Sequence, residues 1–154
     1  MKIIALCALA LVADGCATFR MRTASGFVEL DDQEEYDYRS ANADGVVIGV
    51  RAMPNYPRGG LGFWTASIDA RLRRQGYQAT RSSWVETAAG LRGRQMRYER
   101  VESGVTYHYW VTVFVRDGAL LRKSRVFCIE AAGDDQTFPP AIPALQRTIR
   151  AFRA

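Results

Sequence analysis

The sequence predicts an α+β domain, an antiparallel β-sheet meander flanked by helices. Three observations carry that prediction. Residues 77–132 break into four strand-like runs separated by turn signals. Two stripes at helical spacing bracket those runs, one before and one after. The composition, 48% hydrophobic and 24% charged over 154 residues, is that of one globular domain with its own core.

The first strand signal is weak, at Phe27-Val-Glu-Leu30. The next is clear: Val46, Ile48, Val50 and Ala52 alternate onto one face, after a turn at Asp44-Gly45. Residues 54–62 hold two prolines and three glycines and read as a loop, the simplest role for whose glycines is to turn the chain into a helix. That helix has Leu61, Trp64, Ile68 and Leu72 on one stripe, and Gly76 stands at its C-cap. Asp69, Arg71, Arg73 and Arg74 face outward.

The meander runs 77–87, 91–102, 105–116 and 119–132, with turns at 88–90, at Ser103-Gly104 and at Asp117-Gly118. Of these, Asp117-Gly118 is the strongest hairpin signal. In the third run Val105, Tyr107, Tyr109, Val111, Val113 and Val115 share a face and are expected to point at the core. The opposite row of Thr106, His108, Trp110, Thr112 and Phe114 is too apolar to be fully wet, so it too needs partial cover. A helix after Pro139-Pro140 closes the chain, with Ile142, Leu145, Ile149 and Phe152 on one stripe and Arg147, Arg150 and Arg153 along another side.

This order of elements resembles the superfamily of the photosystem accessory protein PsbP and the Ran-binding protein Mog1, with its bacterial lipoprotein relatives. The resemblance rests on Arg73-Arg-Gln-Gly-Tyr77, Ala88-Ala-Gly-Leu-Arg-Gly93, the run from Gly104 to Val113, Val126-Phe-Cys-Ile-Glu-Ala-Ala132, and Ile149-Arg-Ala-Phe152. It covers about residues 46–154. It implies an α/β sandwich and mostly binding or assembly roles.

The chain opens with Lys2 and then an apolar run of residues 3–13. As a helix those residues would span about 16 Å at 1.5 Å per residue, against the roughly 20 residues a bilayer requires. The segment 1–15 therefore reads as a signal peptide. Gly15-Cys16 resembles the end of a bacterial lipobox, although Ala13 stands where Leu is usual and Asp14 is an uncommon neighbour. Ordinary signal peptidase would cut at the same bond, so the two readings differ only in whether Cys16 carries lipid. Lipidation at Cys16 is expected, followed by a tether over 16–26 and the α+β domain over 27–154. Ala17 after the Cys, in place of Asp, resembles lipoproteins sent to the outer membrane. The expected location is the cell envelope, with the outer membrane favoured.

Net charge is +5, unevenly placed. Residues 16–50 carry seven acids against three arginines, whereas residues 51–100 carry ten arginines against three acids. Arg71, Arg73 and Arg74 are the candidate surface for an anionic ligand or partner, an acidic polymer or an envelope protein; an exported protein is not expected to meet nucleic acid. The acidic run 31–37 lacks the ligand spacing of an EF-hand and reads as a solvated edge. His108, the one histidine, reads as structural, and Cys128 as a small core hydrophobe. A Cys128–His108 pair is the sole opening for catalysis, so no enzyme, cofactor or metal is expected. Two functions stay open: a non-catalytic binding or scaffold module, and a small carrier or sensor whose cleft is lined by Trp110 and Phe114.

Overall fold

Alternating side chains on the strands build two cores, one on each side of a single antiparallel sheet. In chain order the elements are β1 (Phe27–Glu29), β2 (Tyr38–Asn42), β3 (Val47–Pro54), α1 (Leu61–Arg74), β4 (Gln78–Glu86), β5 (Arg92–Glu102), β6 (Val105–Arg116), β7 (Arg125–Asp134) and α2 (Phe138–Ala151). The computed structural model describes residues 18–33, 35–118 and 123–154. The strand order is β1-β2-β3-β7-β6-β5-β4, every pair antiparallel. The predicted α+β class, a sheet flanked by helices, is what forms.

One core lies under α2. Val46, Ile48 and Val50 turn to this side with Trp110, Phe114, Phe127 and Ile129, and the helix adds Phe138, Leu145, Ile149 and the C-cap Phe152. The other core lies under α1, where Leu72 meets Met96, Tyr98, Val111, Val113, Val126 and Cys128. β6 feeds both, as its two rows required: Val111 and Val113 of the expected core row are 2% and 0% exposed, but the opposite row is covered more fully than expected and the outer end of the core row less. Trp110, Thr112 and Phe114 are at most 3% exposed, while Val105 and Tyr107 of the expected core row are 38% and 42% exposed. The α1-side core takes Tyr109, Val111, Val113 and Val115 from that row and not its outer residues Val105 and Tyr107.

The helix ends are chemically specified. α1 stops at Gln75, after which Gly76 takes φ +88°. The Gly76 N–H then reaches the Arg73 carbonyl at 3.0 Å and the Tyr77 N–H reaches Leu72 at 3.1 Å, the Schellman pattern. Before α2, the Asp134 carboxylate accepts from the backbone N–H groups of Gln136 and Thr137 at 3.0 and 2.8 Å. Those bonds hold its pKa below the usual carboxylate range.

The tight hairpin is at Ser103-Gly104, both with positive φ, between the paired residues Glu102 and Val105. Asp117-Gly118 is not a two-residue hairpin, since Arg116 pairs with Arg125 at the start of β7; residues 119–122 of the expected fourth run lie outside the described residues. β2 also joins the sheet without a clear signal in the sequence. Residues 18–26 of the expected tether lie along the domain: Phe19 and Met21 pack on the α2-side core, Ala24 is buried, and Arg20 bridges to Arg153.

Candidate functional site

The side of the sheet bearing Trp110 and Phe114 leaves no cleft between them and the helix above. Phe138 stands edge-on to Trp110 with centroids 5.1 Å apart, and Phe152 stacks on Phe114 at 5.6 Å. The carrier cleft expected at these two residues is thus filled by α2. What α2 leaves open is farther out, where the β4–β5 hairpin extends beyond the helix.

There, a groove of about 630 Å³ runs between α2 and the hairpin, lined by Arg81, Arg97, Arg147 and Arg150, with Glu86 the acid among its lining residues. A register shift between Ala79 and Arg81 sets Arg81 directly opposite Arg97. Like charges facing each other across a strand pair are unfavourable. Among the described residues, no ion pair includes any of these four arginines. Arg97 lies 4.0 Å over the Trp110 ring and donates from Nε to Gln95 Oε1 at 3.0 Å. Gln95 is itself held by donating to Thr112 Oγ1 at 3.1 Å, so the Arg97 head has little freedom to turn away. Burial, and then the charge of Arg81, lower the Arg97 pKa. Chemically this is a cation-rich groove with an ordered floor, suited to carboxylate or phosphate.

A second polar centre lies on the α1 side, over the β3–β7 half of the sheet that the helix does not cover. Glu130 Oε2 accepts hydrogen bonds from the Tyr36 and Tyr109 hydroxyls, both at 2.8 Å, and Arg51 Nε stands 3.5 Å from Oε1. Arg51 also lies 4.2 Å over the Tyr36 ring. Burial, reinforced by the Glu130 charge, raises the pKa of Tyr109; burial raises that of Tyr36 too. Two cavities of about 210 and 190 Å³ flank this cluster. With both hydroxyls donating to one carboxylate oxygen, the cluster reads first as a closed polar network.

The residues singled out in the sequence fall as follows. Arg71, Arg73 and Arg74 are exposed on the last turn of α1 and do not converge. Arg73 donates to Asp69 at 2.7 Å, and Arg71 lines a cavity beside Tyr109 and Glu130. The same Asp69 accepts from Tyr98 at 2.9 Å. His108 and Cys128 occupy opposite faces: the His108 ring stacks on Phe138 at 5.5 Å, whereas Cys128 belongs to the α1-side core. They do not pair. Burial pushes the Cys128 thiol up to about 12.

In the loop 54–62, Asn55 is the hub. Its Oδ1 accepts from the Gly59 N–H and from Trp64 Nε1, and its amide donates to the Gly59 carbonyl, so the glycines serve a turn into α1. In the acidic run, Glu35 meets Arg51 at 3.1 Å and Asp37 accepts from the Ala52 N–H at 2.7 Å. Among the described residues, no group of three or more His, Cys, Asp or Glu is placed to hold a metal. Cys16 lies outside the described residues. The arginine groove itself was missed as a unit. Its traces were the i, i+3 spacing of Arg147 and Arg150, and the odd parity of Arg97 relative to Arg92, Arg94 and Arg100.

The fold places the chain in a class: a seven-stranded antiparallel sheet held between two helices. Two solved structures share it. LpqN of Mycobacterium tuberculosis, described as involved in cell envelope biogenesis, superposes with a TM-score of 0.71 at 11% identity, over 88% of this chain and 82% of LpqN. PA94 of Pseudomonas aeruginosa, a protein of unknown function, gives 0.55 at 12% identity, over 80% and 78%. At such identities the likeness is one of fold. No protein family matches the sequence, and no curated protein does.

Proposed function

We propose that this chain is a lipid-anchored envelope protein whose domain binds or scaffolds another component without catalysis. The observation that carries the reading is the arginine groove: four arginines line it, unpaired by any carboxylate among the described residues, and one of them, Arg97, is held against Gln95 and Trp110. A cationic groove favours an acidic partner, a protein segment or polymer of the envelope, and needs no reactive group. The Gly15-Cys16 lipobox resemblance supplies the anchor, with the outer membrane favoured. The fold shared with LpqN supports an envelope setting, and kinship with PsbP and Mog1 is part of the same proposal. Among the described residues, no helix is long and apolar enough to cross a membrane.

The test is metabolic labelling with a palmitate analogue in wild type and Cys16→Ser. Label on the wild type alone is expected; an unlabelled wild type would make this a freely exported protein. Binding is tested by co-purification from membranes with Arg81→Gln/Arg97→Gln, which should lose an acidic partner that wild type retains.

A second reading, a small carrier or sensor for an anionic ligand, is favoured by the cavity of about 210 Å³ lined by Tyr36, Arg39, Arg51, Tyr109 and Glu130. Native mass spectrometry of the mature chain decides it: a retained small molecule supports the carrier, and the bare polypeptide mass argues for the scaffold.

A further inference from the structure

We infer that the end of the sheet from which the chain leaves toward Cys16 is itself a membrane-docking surface, which rests on anionic lipid headgroups. The inference deepens the anchored-protein reading and relies on it for the position of the lipid.

The exit is fixed. Arg116 Nη1 donates to the Thr18 carbonyl at 3.2 Å. The Phe19 ring stacks on Phe152 at 5.7 Å and stands edge-on to Phe127 at 6.1 Å. Arg20 and Arg153 exchange both backbone hydrogen bonds, at 2.7 and 3.1 Å. Cys16 is two residues before Thr18, a reach of about 7 Å when extended. A lipid on Cys16 would therefore draw this end, and no other, to the bilayer surface.

This is the end where β3 and β6 finish, β7 begins, α1 starts and α2 stops. Its side chains are of the kind that suits an anionic interface. Arg20, Arg58 and Arg153 are exposed, as is Lys123, and Arg125 is half-exposed between them. The acids here are Asp117, 3.8 Å from Arg58, and the exposed Glu86, where β4 finishes against the start of β5. Beside these cations Tyr56 is 87% exposed and Phe63 53% exposed, aromatic bodies without cover. Aromatic and basic side chains together are what a headgroup layer accommodates. The opposite end, around the turns at 43–46 and 103–104 and the start of α2, carries Asp44, Glu102, Asp134 and Asp135. The acidic run flanks the docking half of β3 from the β1–β2 side, where Glu35 is held by Arg51 and Asp37 by the Ala52 N–H. Lipid anchoring is firm when acyl chains are joined by a second, electrostatic signal. Here that second signal is in the folded domain.

The experiment uses the mature chain coupled through Cys16 to a maleimide lipid; Cys128 is 3% exposed with its thiol pushed up to about 12, so coupling falls on Cys16. Vesicles are phosphatidylcholine alone, or phosphatidylcholine with one third phosphatidylglycerol. Hydrogen exchange should slow over 54–63 and 123–125 on the anionic vesicles only, and added salt should reverse it. Uncoupled Cys16→Ser protein should partition onto the anionic vesicles. Arg58→Ser, Arg125→Ser and Arg153→Ser should each weaken that roughly fivefold, whereas Arg71→Ser/Arg74→Ser at the far end should change it less than twofold. Protection that is equal on neutral vesicles, absent on both, or found instead over 43–46 and 71–77 would overturn the inference. Since coupling supplies the anchor chemically, these outcomes are independent of whether cells acylate Cys16, which the labelling experiment answers separately.

Discussion

The two faces of the sheet are finished by different chemistry. On the α2 side the seal is aromatic: Phe114, Phe127, Phe138 and Phe152 are all at most 1% exposed, and Phe152 touches three other rings. On the α1 side the helix covers β4–β6, and the remaining half is closed by Tyr36, Arg51, Tyr109 and Glu130. Apolar burial is non-directional and additive in area, whereas a polar seal holds only while each donor meets its acceptor. The α2 face should therefore carry the stability, and the α1 face should be the one that changes with pH and with single charges.

Truncation tests the first half of that statement. Phe152→Ala, in a fully buried site ringed by aromatics, should cost about 3–5 kcal/mol in urea unfolding with the slope unchanged. Leu72→Ala, at 8% exposure under α1, should fall at or below the lower bound of its class, about 2 kcal/mol. If Leu72→Ala proved the costlier, the two faces would have to exchange roles.

The polar seal is addressed through its shared acceptor. Glu130→Gln keeps the shape but removes the charge that two hydroxyls and Arg51 face, and should cost about 1–3 kcal/mol. The pH dependence has a definite sign. Tyr36 and Tyr109 have raised pKa values in the folded state, first through burial and with Glu130 adding to it. Their contribution is thus fully present below the ordinary tyrosine pKa near 10 and is lost as pH climbs above it. Stability measured from pH 8 to 11 should decline more steeply in wild type than in Tyr109→Phe. Equal slopes would place the alkaline sensitivity elsewhere.

The α2 face was largely legible in the sequence, because period-2 and period-3.6 patterns report apolar burial directly: Val46, Ile48 and Val50 on the strand, Leu145 and Ile149 on the helix. The polar seal was not. Tyr36 lies in an acidic run that reads as solvated, and Glu130 interrupts the apolar run from Val126 to Ala132, so their meeting across 94 positions depends on the pairing of β3 with β7. β2 was hidden for a similar reason, since Tyr-Arg-Ser-Ala-Asn has one large apolar side chain and takes its place from its neighbours. The arginine groove needed one further fact, the register shift that brings Arg81 opposite Arg97. Asp117-Gly118 shows the converse, a strong local signal overruled when Arg116 pairs with Arg125.

The smallest expected effect concerns the one glycine on which the polar seal depends. A Cβ built on Gly49 would come within 2.6 Å of Tyr36 Cδ1, so a bare backbone at this point of β3 is what lets the ring lie over the sheet and reach Glu130. Gly49→Ala should displace Tyr36 and cost about 1–2 kcal/mol. In a Tyr36→Ala background the obstacle is gone, and the same change should be neutral or should stabilise by about 0.5 kcal/mol, the strand no longer losing glycine's extra backbone freedom. A double-mutant cycle should then return a coupling of about 1–2 kcal/mol, the size expected of residues in direct contact. A coupling near zero would mean that Gly49 answers to the strand alone, and that Tyr36 reaches Glu130 without any allowance from the backbone beneath it.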